Sequence, residues 1–292
     1  MFGPLVTAMV TPMTTNQDVD LEKAKQLAQH LVENGTDTIL VSGTTGESPT
    51  LSDDEKIALI KAVREAVGSR ARVMAGTGSN DTTHSIELSE RAVEAGADSL
   101  LLVVPYYNKP PQAGIISHFT AIAKSVDVPC LIYNIPGRTS MNMTPESLAK
   151  LASTVPNVVG VKESSGNLEQ VSAIARLTSD NFLVYSGDDS LTLPIMAVGG
   201  CGVVSVASHL VGKEIKAMLK HFAAGEVQTA ISIHHRLTPL FKALFVTTNP
   251  IPVKWAMSLI GLHCGPTRLP LCELREEEKQ VIKAAALELE LC

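Results

Sequence analysis

The chain has no excess of positive charge. Its 24 Lys and Arg against 30 Asp and Glu leave a formal net charge of −6 over 292 residues, which argues against nucleic acid or an anionic membrane as the main partner. An anionic substrate would therefore have to be met by a local cation. Paired cysteines are also missing. The five that occur, Cys130, Cys201, Cys264, Cys272 and Cys292, show no C-x-x-C spacing and read as free thiols in a reducing compartment; Cys130 and Cys201 lie in or beside apolar runs, where inert packing is expected. No apolar run approaches the ~18 residues that span a bilayer. Met1–Val6 has neither a basic region nor a small-residue cleavage site and reads as a first strand rather than a signal peptide, so a cytoplasmic protein is expected. Nucleotide fingerprints fail as well: Gly76-x-Gly78 has Asp81 where a third glycine should stand, and no Walker-type loop occurs. There is no H-E-x-x-H and no carboxylate–histidine cluster at ligand spacing, so no metal site is expected. His234-His235 reads as a solvated helix face.

What is present is alternation. Short β-rich runs at 4–11, 36–42, 72–77, 99–105, 129–135, 158–162, 182–186 and 202–207 interleave with amphipathic stretches near 19–34, 53–67, 82–95, 112–125, 144–153, 167–178, 189–198 and 210–224. Ser52 with Glu55 is a capping box, Thr144-Pro145 puts proline at a first helical position, and Gly35 and Gly96 fall just past helix ends. Eight strands alternating with eight helices predict a parallel sheet, best closed as a (β/α)8 TIM barrel. After about residue 225 the strand signal stops. Residues 226–246, 250–260 and 274–290 read as helices, broken at Asn249-Pro250-Ile251-Pro252 and Gly265-Pro266, with Glu276-Glu277-Glu278 as a solvated first turn. The expected division is a barrel over 1–224 and a C-terminal three-helix domain over 225–292.

Barrel sites lie at the carboxyl ends of the strands, and one such end carries the sharpest chemical clue. Val158-Val159-Gly160-Val161-Lys162 is an apolar run closed by a lysine. A cation is costly to bury because burial disfavours the charged form. A lysine held as the free amine attacks carbonyls to give a Schiff base. The plain alternative is a rim lysine paired with Glu163 or Glu47. Gly160 shares a face with Lys162 and leaves room below it. Other strand ends read Gly43-Thr44-Thr45-Gly46-Glu47-Ser48, Thr77-Gly78-Ser79-Asn80, Pro105-Tyr106-Tyr107-Asn108, Tyr133-Asn134-Ile135-Pro136-Gly137-Arg138-Thr139, Ser186-Gly187-Asp188-Asp189 and Val204-Ser205. Three of the four tyrosines thus fall on the rim with the lysine and Arg138. Taken singly, Tyr133 suits a core aromatic, Arg138 a surface charge, and Thr44 and Thr45 a turn. Together they suit catalysis. Alternation can set Tyr133 beside Lys162, the planar fork of Arg138 fits a carboxylate, and the glycine-flanked threonines can pass protons or bind an anion.

These segments, in register through almost the whole chain, resemble the signatures of the pyruvate-dependent class I lyase family, nearest its dihydrodipicolinate synthase branch. The resemblance implies condensation of pyruvate with L-aspartate 4-semialdehyde on the way to diaminopimelate and lysine, with no cofactor. It implies that Lys162 forms the Schiff base and that Tyr133 donates and accepts protons, since an ordinary phenol stays protonated at neutral pH and needs a relay. Thr45 and Tyr107 would complete that relay with Thr44 alongside, Tyr107 acting across a dimer interface in a homotetramer built as a dimer of dimers. Thr45, the Val204 backbone and Gly187 would serve the pyruvate side, and Arg138 the semialdehyde carboxylate. Sibling lyases of sugar acids, such as an N-acetylneuraminate lyase or a keto-deoxy sugar-acid aldolase, generally read Ser-Thr in the turn and lack the arginine. A non-catalytic keto-acid-binding barrel would not need amine, phenol and threonine hydroxyl together. Members inhibited by lysine tend to carry histidine and glutamate where this chain has Lys56 and His84, while Ser48, Asn80 and Tyr106 match. The resemblance therefore implies insensitivity to lysine.

Overall fold

The computed structural model describes residues 2–292. Eight strands close a barrel in chain order: β1 (Leu5–Ala8), β2 (Thr38–Val41), β3 (Arg72–Gly76), β4 (Ser99–Val103), β5 (Cys130–Asn134), β6 (Val158–Glu163), β7 (Leu183–Ser186) and β8 (Gly202–Ser205). The pairs β1–β2 and β3–β4 through β7–β8 run parallel. The helices are α1 (Leu21–Glu33), α2 (Asp53–Val67), α3 (Thr82–Glu94), α4 (Gln112–Lys124), α5 (Pro136–Thr139), α6 (Pro145–Thr154), α7 (Leu168–Leu177), α8 (Thr192–Ala197), α9 (Ser208–Ala223), α10 (Val227–Ala243), α11 (Ile251–Leu259) and α12 (Glu276–Glu288). The chain is the (β/α)8 TIM barrel that its alternation predicts. It forms two compact units, Met1–Arg72 with Ser205–Cys292, and Val73–Val204.

In the first unit, local chemistry sets the helix ends. The Asp20 carboxylate accepts the Lys23 N–H and starts α1, and Gly35 follows it at φ +98°, a conformation that glycine adopts without strain. The capping box of α2 is complete: Glu55 N–H donates to Ser52 Oγ at 3.2 Å and Ser52 N–H to Glu55 Oε2 at 2.8 Å. Helix α1 carries a buried stripe, Ala24, Leu27, Ala28 and Leu31, and lies against α2. His209, at the start of α9, is buried completely. Its Nε2 accepts the Val10 N–H and its Nδ1 donates to the Val206 carbonyl, and burial pushes the imidazole down to about 4, so it is the neutral form that fits. Of the three late helices, α10 and α11 pack on α9, and α12 packs on both α10 and α11. One expectation for them needs correction. Glu276 and Glu277 are exposed, but Glu278 turns back and is covered, accepting from the Arg275 backbone N–H and guanidinium at 2.8 and 2.9 Å.

The second unit carries β3 to β7, most of β8, and α3 to α8. Its central strands are apolar over most of their length, as strands covered on both faces are, and turn polar only at their carboxyl ends, Tyr133-Asn134 in β5 and Lys162-Glu163 in β6; every residue of β5 is buried. Asp81, where a dinucleotide loop would need glycine, is the cap of α3 and accepts the His84 N–H. Thr144 caps α6 ahead of Pro145, and Asn167 caps α7. The helix expected over 189–198 is a short 3-10 turn, Asp189–Leu191, followed by α8. The helix expected over 210–224 starts earlier, at Ser208, and bends where Val211 leaves helical geometry. The stretch after β5, read from sequence as a strand end, closes into the single turn α5.

All five cysteines are free. Burial pushes Cys130 up to about 12 and Cys201 up to about 11, leaving both as unreactive thiols. Among the described residues no helix is long and apolar enough to cross a membrane.

Candidate active site

Tyr133 and Lys162 are direct partners across the β5–β6 pair. Parallel strands in register send directly opposed residues to the same side of the sheet, so phenol and amine emerge together near the carboxyl ends of their strands. Both are buried, at 4% and 6% exposure, and Lys162 Nζ lies 4.1 Å from the centroid of the Tyr133 ring. A ring face at that distance favours a cation above it, including the iminium that a lysine forms with a ketone. The rim ion-pair alternative fails. Among the described residues Lys162 has no acidic partner, Glu163 is satisfied by amides, and Glu47 pairs with Lys254 at 2.8 Å.

The lysine stem needs space, and Gly187 gives it. A Cβ at position 187 would lie 2.9 Å from Lys162 Cε and 1.8 Å from Ser164 Oγ, contacts that no side chain tolerates. Gly187 N–H donates to the Glu163 carbonyl at 2.9 Å, and Ser164 N–H to the Asn134 carbonyl, so the strand ends hold the lysine's surroundings through backbone. Gly160 plays another part than expected. A Cβ there would meet the Leu183 carbonyl at 2.4 Å and the Leu131 side chain at 2.8 Å, so its bareness serves sheet packing.

One residue beyond the reacting pair stands a network that sequence reading missed. The Glu163 carboxylate is fully buried. It accepts from Asn134 Nδ2 at 3.0 Å, Gln170 Nε2 at 3.1 Å and the Ser165 N–H at 2.7 Å. Asn142 closes the ring, accepting from Asn134 and Gln170 and donating to Gln170. A buried carboxylate with its lone pairs filled is tolerable; one left bare is not. The network ties β5, β6 and α7 together beside Tyr133 and Lys162, and so fixes their register.

Arg138 stands exposed on α5 with no side-chain partner among the described residues, its fork open to solvent. Val204 is buried in β8. Tyr107 does not join the amine and phenol: it is 88% exposed at a backbone φ of +72°, a strained conformation for a bulky residue.

In the first unit, Thr44 and Thr45 occupy the tight turn after β2, closed by Gly46 N–H to the Gly43 carbonyl and Glu47 N–H to the Thr44 carbonyl. Thr11 Oγ1 donates to the Gly46 carbonyl at 2.7 Å. Segments from the far end of the chain clamp this turn. Asn249 Nδ2 donates to Thr45 Oγ1 at 2.9 Å, Lys254 Nζ to Glu47 Oε1 and the Pro266 carbonyl, and the Arg268 N–H to Glu47 Oε2 at 2.9 Å. The Arg268 guanidinium also forks onto Glu55 and holds that carboxyl at about 2. Sequence reading had marked Asn249-Pro250 as a break between helices and gave Asn249 no role of its own; a polar residue directly ahead of a proline turn is too common a signal to single out.

Two further positions bear on regulation. Lys56 is buried and pairs with Asp53 at 3.2 Å, and His84 Nδ1 lies 3.4 Å from Ser79 Oγ. His235 is exposed, while His234 is half-buried against Phe241.

A closed (β/α)8 barrel that presents a buried amine against a phenol at the carboxyl ends of adjacent strands is the frame of a carbonyl-capturing lyase. Residues 1–289 match the model of the dihydrodipicolinate synthetase family, and the chain belongs to that family. It is 53% identical over 291 residues to the 4-hydroxy-tetrahydrodipicolinate synthase of Cyanothece sp., covering 99% of each chain. It is 55% identical over 291 residues to that of Heliobacterium modesticaldum, covering 98% of this chain and 97% of the relative. The crystal structure of a DHDPS from Cyanidioschyzon merolae with lysine bound superposes with a TM-score of 0.98 at 50% identity, covering 100% and 99% of the two chains.

Proposed function

We propose that this chain condenses pyruvate with L-aspartate 4-semialdehyde to 4-hydroxy-tetrahydrodipicolinate, through a Schiff base on Lys162. The observation that carries the reading is the in-register pair of Lys162 and Tyr133 on the frame of this family. The Lys162 amine adds to the pyruvate ketone, and loss of water gives the imine. Loss of a methyl proton gives an enamine, whose carbon attacks the aldehyde of the second substrate. That substrate's own amine then displaces the lysine by transimination, closing the ring and freeing Lys162. Tyr133 carries the protons, with Thr45 and Tyr107 completing the relay and Thr44 beside them. Thr45 and the Val204 backbone hold the pyruvate carboxylate, while Gly187 keeps the lysine's space open on that side.

Arg138 receives the semialdehyde carboxylate. Its exposed, unpartnered fork is what a second substrate arriving from solvent requires. Arg138→Ala is expected to lower kcat/KM for the semialdehyde by roughly 10- to 100-fold, the worth of hydrogen bonds to a charged group, while pyruvate still forms its adduct on Lys162. Turnover that ignores this change would move the assignment to the sibling lyases of sugar acids.

The remaining assignments rest on the same family reading. The exposed Tyr107 is suited to completing a neighbour's relay, so the working form is a homotetramer, a dimer of dimers, acting in the cytoplasm. The functional division is a catalytic barrel over 1–224 and a helical domain over 225–292. Lys56 sets a positive charge, and His84 removes an acidic one, where an effector's amines would need acidic contacts. The enzyme is therefore expected to ignore lysine, and inhibition by sub-millimolar lysine in a coupled assay would overturn this.

A further inference from the structure

The Asn249 side chain is 5% exposed and Thr45 3%, and 204 residues separate them. Their hydrogen bond has a direction. Asn249 Nδ2 donates, and Thr45 Oγ1 accepts. A hydroxyl has one proton and two lone pairs. With one lone pair filled by the amide, the Thr45 proton cannot be given to Asn249, whose nitrogen has nothing to accept it with. The proton is committed elsewhere, and donation into the oxygen makes the hydroxyl a better donor in turn.

Asn249 keeps this orientation at a cost to itself. Its Oδ1 is buried without a partner among the described residues, and a buried acceptor left unmet costs about 1–3 kcal/mol. Turning the amide over would instead bury two unpaired N–H donors, which folded proteins avoid more strictly than an unpaired carbonyl. The neighbouring anchors hold the residue in place: Lys254 and Arg268, further along the same arm, both grip Glu47, two residues from Thr45.

We infer that Asn249 is a positioning residue of the proton relay: it fixes the Thr45 hydroxyl as a donor toward the reacting groups and prevents the opposite orientation. The inference rests on the relay role proposed for Thr45. The same contact explains why a helix-linking segment late in the chain reaches the turn after β2.

The test is Asn249→Asp, nearly identical in shape but opposite in sense. An ionised carboxylate accepts the Thr45 proton and reverses the bond. At about pH 8, kcat is expected to fall at least about 10-fold, part of the roughly 10²- to 10⁴-fold that positioned proton transfer supplies. The borohydride-trapped pyruvate adduct should still form, and KM for pyruvate should move far less than kcat. Toward about pH 5, where a buried carboxyl becomes protonated and can donate again, the ratio of variant to wild-type kcat should rise. A loss whose ratio is flat with pH would reveal a merely structural role, and an unchanged kcat would also overturn the inference. Should the aspartate variant fail to fold, Asn249→Ala decides: kcat lowered with the adduct retained supports the inference, and kcat unchanged refutes it. Absence of the adduct in wild type would instead defeat the Schiff-base reading itself.

Discussion

Lys162→Ala is expected to abolish the adduct that wild type forms with pyruvate and borohydride, and to lower turnover by roughly 10⁴-fold or more, as removal of a covalent nucleophile does. The fold should survive. Lys162 has no ion pair to lose among the described residues, and what it leaves behind is a space beside the Tyr133 ring. Lys162→Arg separates chemistry from bulk. A guanidinium keeps charge and most of the volume but is never the free amine that attacks a ketone, so this variant should be as inactive as the alanine one. Mass spectrometry of the trapped protein reads the bond directly and places it on one residue. Turnover surviving in either variant would remove the lysine from the mechanism. An unmodified wild-type protein would point instead to a barrel that binds a keto acid without reacting.

The pair Tyr133–Lys162 was legible because two local rules suffice to find it. Apolar runs bounded by turn residues mark strands, and a period of two assigns faces. Consecutive strands of a barrel pair, so the ends of β5 and β6 had to meet. The same rules gave all eight strands, the caps of α2 and α6, and the glycines that follow α1 and α3. They fall silent over distance. Nothing near Thr45 names Asn249, and nothing near Glu47 names Lys254 or Arg268, because contacts across more than 200 residues follow from the closure of the fold and leave no periodicity behind. Glu163 shows a second limit. From sequence it was a candidate counter-ion for its neighbour Lys162, yet adjacent strand residues point to opposite faces. The carboxylate found its partners in Asn134 and Gln170, amides whose role no spacing rule specifies.

The largest stability effect is expected from the clamp on the threonine turn. Glu47 and Lys254 form an ion pair whose side chains are 1% and 3% exposed. Burial holds the Lys254 ammonium below the usual lysine range even with the Glu47 charge beside it, which means that the pair has not recovered the full cost of leaving water. Lys254→Met alone strands the Glu47 carboxylate in the interior and is expected to cost about 3–5 kcal/mol, the usual penalty for breaking a buried pair from one side. Glu47→Gln with Lys254→Met removes both charges and should cost clearly less than Lys254→Met by itself, because the stranded charge, not the missing attraction, dominates the single variant. Denaturant melts of the two single variants and the double one give the coupling directly. The backbone offers a reason why glutamate stands at position 47 at all. Its φ of +58° is a left-handed conformation that costs a residue with a Cβ roughly 1–2 kcal/mol, and glycine would sit there more easily. The carboxylate is retained because it fastens the turn carrying Thr44 and Thr45 to the arm carrying Asn249. If the two single variants and the double one proved equally destabilised, the charges would be irrelevant to the clamp, and the arm would be held by packing around Pro250 and Val253 alone.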